Sequence, residues 1–186
     1  MQLRLGDPGR DAAAVAAIYR PAVETSVASF EEAAPGPTEM AGRMRSTLER
    51  LPWLVAEDAG TLAGYAYAAP HRQRAGYRWS VDVSVYVDPS QQGRGVGRAL
   101  YDRLLDLLRR QGYRNAYAGI TLPNPSSVRL HEAIGMRRIG VYARVGWKLG
   151  AWRDVAWYGM SLLDGSDTDG PPPEPRSVHE VLVTGA

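Results

Sequence analysis

The chain has no cysteine among its 186 residues. That absence removes disulfide frameworks, thiolate zinc sites and cysteine nucleophiles together, and it suits a reducing compartment. Lysine is almost missing as well. Lys148 is the only one, so arginine supplies nearly all of the positive charge. Twenty-two basic against twenty acidic side chains leave +2, and no run of five or more like charges occurs. Scattered arginines in a near-neutral balance speak against a nucleic-acid partner. The longest apolar run, residues 12–18, is far below the ~18–20 residues of a membrane span. The N-terminal segment carries neither the apolar stretch nor the cleavage site of a signal peptide, so a cytoplasmic protein away from membranes is expected. His131-Glu132 does not continue to a second histidine at Gly135, and no metal site is evident. His71 and His179 stand in no pattern of their own.

With 45% hydrophobic and 23% charged residues, the composition is that of an ordinary globular domain. The length suits one domain, expected over residues 1–163, followed by a Pro- and Gly-rich tail over 164–186 that docks through Val181-Leu182-Val183. Residues 2–5 alternate as a short strand. Asp7-Pro8 then caps an alanine-rich helix over residues 11–19, which Pro21 disturbs or ends. Met40, Met44, Leu48 and Leu51 recur at helical steps to about Arg50. Two apolar runs flank Asp58-Ala59-Gly60 as a hairpin. Trp79, Val81, Val83, Val85 and Val87 fall on one face of the clearest strand, with Ser80, Asp82, Ser84 and Tyr86 on the other. Leu100, Leu104, Leu107 and Leu108 stripe a helix that Gly112 ends. A strand over residues 115–122, a short helix to about Ile134 and two closing strands complete the series. The closing strands flank Gly146-Trp147-Lys148-Leu149-Gly150. The order predicts an α/β fold, a mixed sheet with helices on both faces.

Gln92-Gly93-Arg94-Gly95-Val96-Gly97 lies between the clearest strand and the leucine helix. Glycines permit unusual φ and close backbone approach, and a helix N-terminus offers unpaired N–H groups, so the loop is an anion site suited to a pyrophosphate. No Gly-Lys-Ser/Thr follows, which excludes a P-loop. Counted from Gly93, the last glycine of a dinucleotide fingerprint would fall at Arg98, which excludes that too.

Gln92-x-x-Gly95-x-Gly97 resembles the Arg/Gln-x-x-Gly-x-Gly/Ala motif of the GCN5-related N-acetyltransferases. Asn124, Ser127 and His131 match the i, i+3 and i+7 places of that family's Asn-x-x-Ala-x-x-x-Tyr helix. Within the family the chain resembles the phosphinothricin acetyltransferase group, over about residues 2–162. The segments concerned are Tyr77-Arg78-Trp79, Val85-Tyr86-Val87, Leu122-Pro123-Asn124, Ser127-Val128-Arg129-Leu130-His131-Glu132 and Gly150-Ala151-Trp152-Arg153-Asp154-Val155. The resemblance implies a central, mostly antiparallel twisted sheet and acetyl-CoA as co-substrate. It implies that Val85, Tyr86 and Val87 run beside the pantetheine arm, and that Gly93, Arg94, Gly95, Val96, Gly97 and Arg98 hold the pyrophosphate. Asn124 would contact the cofactor arm.

For the acceptor, the resemblance implies an amino-acid site built from Arg72, Arg74 and Tyr77, with Ser84 nearby and Thr121 and Val155 as walls. Arginine forks suit carboxylate or phosphinate oxygens. Asp82, on the polar face beside Ser84, is the candidate base, where the resembling group usually carries Glu. A side chain one C–C bond, ~1.5 Å, shorter calls for an intervening water or a repositioned substrate. His131 stands where that group has histidine and many relatives a tyrosine, and it can act as acid, base or hydrogen-bond donor. The implied activity is acetylation of the α-amine of a small amino-acid-like compound, in a ternary complex, by a homodimer. The shortened carboxylate leaves room for another amine (aminoglycoside, polyamine or peptide N-terminus), and a non-catalytic acyl-CoA-binding module also fits the glycine loop. Trp147 and Trp152 either cover the pocket or pack a subunit interface.

Overall fold

The chain lays down β1 (Gln2–Leu5), α1 (Pro8–Glu24), α2 (Pro37–Leu48), β2 (Trp53–Asp58), β3 (Thr61–Pro70), β4 (Ser80–Val87), α3 (Val96–Gln111), β5 (Asn115–Thr121), α4 (Pro125–Ala133), β6 (Arg137–Lys148), β7 (Ala151–Ser161) and α5 (Val178–Val183). The computed structural model describes residues 1–163, 170 and 172–183. The strands form one seven-stranded sheet in the order β1-β2-β3-β4-β5-β7-β6. Neighbours run antiparallel except β4 and β5, which run parallel, so the sheet is mixed and mostly antiparallel.

Alternation on the strands divides the core in two. The leucine stripe of α3 is wholly buried and packs with Val81 and Val83 of β4 against Ala66, Ala68 and Ala118. On the opposite face α1 and α2 bury Val15, Val23, Met40 and Met44 against Trp53, Val55 and Tyr65, with Tyr67 and Tyr86 at the margin. Asp7 caps α1 by accepting the Gly9 and Arg10 amides at 2.8 and 3.2 Å. Gly112 ends α3 in the left-handed region at φ 94°, where the Tyr113 amide reaches the Leu108 carbonyl at 3.0 Å.

Three expectations need correction. Pro21 does not end α1, which continues to Glu24. Proline removes one donor, its own, and the later amides close over it: Thr25 donates to the Pro21 carbonyl at 3.1 Å. Gly146, Trp147 and Lys148 are not a turn but the end of β6, which resumes pairing with β7 after a register shift between Tyr142 and Gly146. The tight turn is Leu149-Gly150, both at positive φ. The C-terminal segment does dock, yet Leu182 and Val183 are not its main anchors. Val178 and Val181 of α5 are the buried ones. Ahead of them, the Arg176 amide donates to the Gln111 carbonyl at 2.8 Å, Trp79 Nε1 to the Pro173 carbonyl at 2.9 Å, and Arg78 pairs with Glu174 at 2.7 Å. Residues 164–169, 171 and 184–186 of the expected tail lie outside the described residues. Among the described residues no helix is long and apolar enough to cross a membrane.

Candidate active site

The site begins where two strands part. β4 and β5 pair only over Ser80–Asp82 against Asn115–Tyr117, and beyond Asp82 the two diverge. The wedge opens into a cleft of about 840 Å³ lined on one side by Val83, Ser84, Val85, Tyr86 and Val87, and on the other by Ala118, Gly119, Ile120 and Thr121. Past Asp82 the β5-facing edge of β4 has no strand partner, so its backbone polar groups are available to an extended ligand.

At the mouth of the wedge β4 turns into α3 through the glycine loop. Gly93 and Gly95 stand at φ 76° and 82°, and a Cβ at either would meet nothing within 4 Å. They are glycine for conformation, and they leave the backbone open to approach. Gly97 is glycine for another reason. A Cβ there would come within 3.1 Å of Leu130 Cδ2 and 3.5 Å of Val87 Cγ2, so it lets α3 pack closely on α4 and β4. The first-turn amides of Val96, Gly97 and Arg98 have no acceptor one turn earlier in the helix. Gly93, Gly95, Val96, Gly97 and Arg98 line the cleft; Arg94 does not, and instead donates to Gln91 Oε1 on the loop's outer side. The Arg98 guanidinium is held by Asp102 at 2.9 Å and by the Ala133 carbonyl at 2.8 Å.

Asn124 also lines the cleft and caps α4, its Oδ1 accepting the Ser127 amide at 3.2 Å. His131 lies on the same helix, 4% exposed. One ring nitrogen donates to the Ser127 carbonyl at 2.7 Å and the other accepts from the Tyr101 hydroxyl at 2.9 Å. Burial pushes its pKa down, against the Ser127 bond, and the ring is neutral with both nitrogens engaged.

The residues expected on the acceptor side gather at the apex on the α1/α2 face. Asp82 stands on the last paired rung, and its carboxylate Oδ1 takes a hydrogen bond of 2.6 Å from His71 Nδ1. Burial raises the Asp82 pKa, opposed by the His71 bond and by the charges of His71 and Arg72. Tyr77 sits edge-on to His71 at 6.0 Å, and the Arg72 guanidinium lies 5.7 Å above the Trp157 ring while donating to the His71 carbonyl at 2.7 Å. Arg74 is exposed on the same loop, before the short turn Ala75–Tyr77. Thr121 faces Val155 across β5 and β7, both nearly buried. Ser84 and Thr121 therefore line the cleft itself, whereas Asp82, Arg72 and Tyr77 cluster with His71 beside its apex.

Sequence reasoning missed two contributors. The turn after α1 (Thr25, Ser26, Val27, Ala28), with Ile18, Pro21 and Ala22, roofs the cleft, and nothing in its composition signals that. His71 was the other. It is the diagonal neighbour of Asp82: Ala69 pairs with Asp82, and the His71 amide donates to Ser80. Antiparallel pairing puts 71 and 82 on one face. The signal was therefore present, but only for a reader who already had the β3–β4 register.

A profile of the Acetyltransferase (GNAT) family matches residues 19–136. The chain belongs to that family. It is accordingly an acetyl-CoA-dependent N-acetyltransferase. A phosphinothricin N-acetyltransferase of Streptomyces viridochromogenes is 41% identical over 148 residues, covering 80% of this chain and 81% of its own. An L-methionine sulfoximine/L-methionine sulfone acetyltransferase of Salmonella typhimurium is 36% identical over 173 residues, covering 87% and 95%. Among solved structures, a phosphinothricin acetyltransferase of Sinorhizobium meliloti in complex with acetyl-CoA superposes with a TM-score of 0.87 at 36% identity, covering 94% of each chain. A family acetyl-CoA fits these residues: the cradle at Gly93 and Gly95 is open to backbone approach, and the β4 edge is unpaired beyond Asp82.

Proposed function

We propose that the enzyme acetylates the α-amine of a small amino-acid-like acceptor, of the phosphinothricin and methionine sulfoximine or sulfone type, by direct transfer between two bound substrates. The observation that carries this reading is the position of Asp82: at the apex of the wedge between β4 and β5, beside the loop bearing Arg72, Arg74 and Tyr77. The activities named for the relatives from Streptomyces and Salmonella support the same acceptor class.

In this reading Val85, Tyr86 and Val87 hold the pantetheine arm along the β4 edge, with Asn124 across from them. The loop residues Gly93, Gly95, Val96, Gly97 and Arg98 receive the pyrophosphate, mainly through main-chain amides at the positive end of α3, with Arg94 turned to the outer side. Bound there, acetyl-CoA supplies an acyl group activated as a thioester. A β4 amide donates to the carbonyl oxygen as charge develops on it. Arg72 and Arg74 bind the acceptor's acidic oxygens, and Tyr77, Ser84, Thr121 and Val155 shape its pocket. The Asp82 carboxylate drives removal of the ammonium proton. His131, neutral and doubly bonded, holds α4 against Tyr101 of α3 and exchanges no proton with the sulfur. With no cysteine in the chain, no thioester forms on the protein, which supports transfer without an acetyl-enzyme.

Thiol release with a panel of acceptors tests this. Phosphinothricin and methionine sulfone are expected to outrun polyamines, aminoglycosides and peptide N-termini by kcat/KM, with intersecting initial-velocity lines for the two substrates. A polyamine or aminoglycoside at the head of the panel, or parallel lines, refutes it.

We also propose a homodimer acting in the cytoplasm. β6 is one of the two edge strands, opposite β1, and it exposes Ile139, Tyr142, Val145 and Trp147, with Trp152 beside them on β7. A long apolar edge of this kind is covered in a stable soluble protein. A monomeric mass by light scattering at micromolar concentration would exclude the dimer.

A further inference from the structure

The Asp82 carboxylate is both shortened and occupied. Asp has one carbon fewer than the Glu usual in the resembling group, and Oδ1 is already engaged by His71 Nδ1 at 2.6 Å. An ionised carboxylate only accepts hydrogen bonds, so Nδ1 carries the proton, and in the neutral form of the ring the lone pair lies on Nε2. Among the described residues Nε2 has no hydrogen-bond partner. The ring itself is fixed. Tyr117 of β5 packs against its face at 4.5 Å, with Tyr77 and Trp157 edge-on at 6.0 and 6.1 Å. The arrangement has the logic of a carboxylate that sets the tautomer and orientation of an imidazole whose far nitrogen is the base.

We infer that His71 is the immediate proton acceptor from the acceptor amine, and that Asp82 acts through it as the positioning carboxylate. This rests on the acyl-transfer reading of the site given above. Nε2 takes one proton from the ammonium group, and the freed nitrogen lone pair forms the C–N bond to the acyl carbon while the C–S bond breaks. The amine loses a second proton in the same passage. One of the two ends on the departing sulfur and the other leaves to solvent, so His71 is regenerated. The imidazolium formed in between lies against the Asp82 carboxylate, which neutralises it without being protonated itself.

The titratable and charged groups that face this pair are Tyr67 on β3, Arg72 and Tyr77 on the following loop, and Tyr117 on β5. Burial holds the Tyr67 hydroxyl above the ordinary phenol range, and an acidic limb of the rate profile is assigned to the His71–Asp82 pair.

Two substitutions separate the roles. His71→Asn keeps a donor near the Nδ1 position, and His71→Phe keeps the ring on Tyr117. A role limited to bonding Asp82 is rescued by the first, and a role limited to packing by the second. With acetyl-CoA and methionine sulfone, both variants are expected to lose at least about 100-fold in kcat at pH 7. Acetyl-CoA affinity by calorimetry should stay within about threefold, and the acidic limb of kcat/KM should vanish. Either variant keeping more than about a third of wild-type kcat, with its acidic limb in place, overturns the proposal. The ¹⁵N spectrum of the wild-type histidines is a second test that needs no variant to fold. An Nδ1–H tautomer at His71 supports the proposal, and an Nε2–H tautomer overturns it. If another amine proves the better acceptor, the substrate reading falls and the variants are compared with that amine. If a wild type that binds acetyl-CoA acetylates no amine, both readings fall.

Discussion

Replacing Gly95 by alanine separates a loop that binds from a loop that merely connects. Gly95 is the N-cap of α3 at φ 82°, and an added Cβ meets no atom within 4 Å. The cost to the free protein is therefore conformational alone, about 1–2 kcal/mol for an L-residue in the left-handed region. At ~2–4 °C per kcal/mol for a chain of this size, the melting temperature should fall by roughly 2–8 °C. The bound state suffers separately, because the methyl group projects into the open space where a diphosphate has to approach the amides. Losing one charge-assisted hydrogen bond there costs about 1.5–3 kcal/mol, or roughly 10- to 150-fold in Kd for acetyl-CoA.

Calorimetry with two ligands makes this decisive. Acetyl-CoA should weaken by that factor, whereas S-acetylpantetheine, which lacks the diphosphate, should bind Gly95→Ala as it binds wild type. Gly97→Ala is the contrast. Its Cβ would press on Leu130 and Val87 rather than into the cradle, so it should lower stability more than affinity. If Gly95→Ala melts lower but binds acetyl-CoA within about threefold of wild type, the loop is not the diphosphate site.

Three further outcomes are expected. Arg4→Ala strands Asp11, a 2% exposed carboxylate that Arg4 holds at 2.6 and 2.8 Å. Breaking such a pair costs about 3 kcal/mol in urea unfolding at pH 7. Burial pushes the Asp11 pKa up, but the bonds from Arg4 and the Asp7 amide bring it net below the usual range. The loss should therefore be full above pH ~4 and shrink as the pH falls below it; a deficit unchanged at pH 3 would contradict the assignment. His131 has a depressed pKa from burial, so its neutral form adds stability that is present above pH ~6.5 and fades on acidification. His131→Phe should flatten the stability curve between pH 7 and 5 and leave the acidic limb of kcat/KM in place; loss of that limb would make His131 a proton carrier after all. Val178→Asp, at a fully buried position of α5, should cost about 2–3 kcal/mol and release the segment that bonds Trp79 and Arg78. Because those residues end the loop bearing Arg72 and Tyr77, KM for the acceptor should rise more than KM for acetyl-CoA, and equal changes would show no such link.

What could be read from the chain was what local period and local conformation dictate. The valines of β4, the leucines of α3 and the positive-φ glycines of the loop each announce themselves within a few residues. So do the Asp7 cap and the element order, and these were enough for the fold and for placing the glycine loop at the start of α3. Features set by distant partners were hidden. Pro21 looks like a stop because proline usually is one, yet here only its own donor is forgone. The glycines around Trp147 look like a turn, but pairing with Arg153 and Trp152 keeps that stretch in the ladder, while the Phe30 ring occupies the space above Gly146. His71 looks idle because its partner lies eleven residues away across a loop that sets the register.

The same alternation that makes β4 legible also explains why its chemistry stays separate from its packing. Val81 and Val83 turn toward α3 and are at most 3% exposed, while Asp82 and Ser84 turn to the face where Tyr67, Tyr117 and the His71 ring lie. Changing a valine removes area from the core and should lower stability in proportion to the methylenes lost. Changing Asp82 removes little core area but leaves His71 free to choose either tautomer. That choice matters more here than for a lone carboxylate, because a ring held between Tyr117 and Trp157 cannot swing to recover its orientation. Asp82→Glu is therefore not a conservative restoration in this chain. The longer carboxylate would push into the imidazole now fixed at 2.6 Å, and it should lose activity unless His71 is replaced by a smaller residue in the same protein. The double variant recovering more activity than either single one would identify the two positions as one coupled unit.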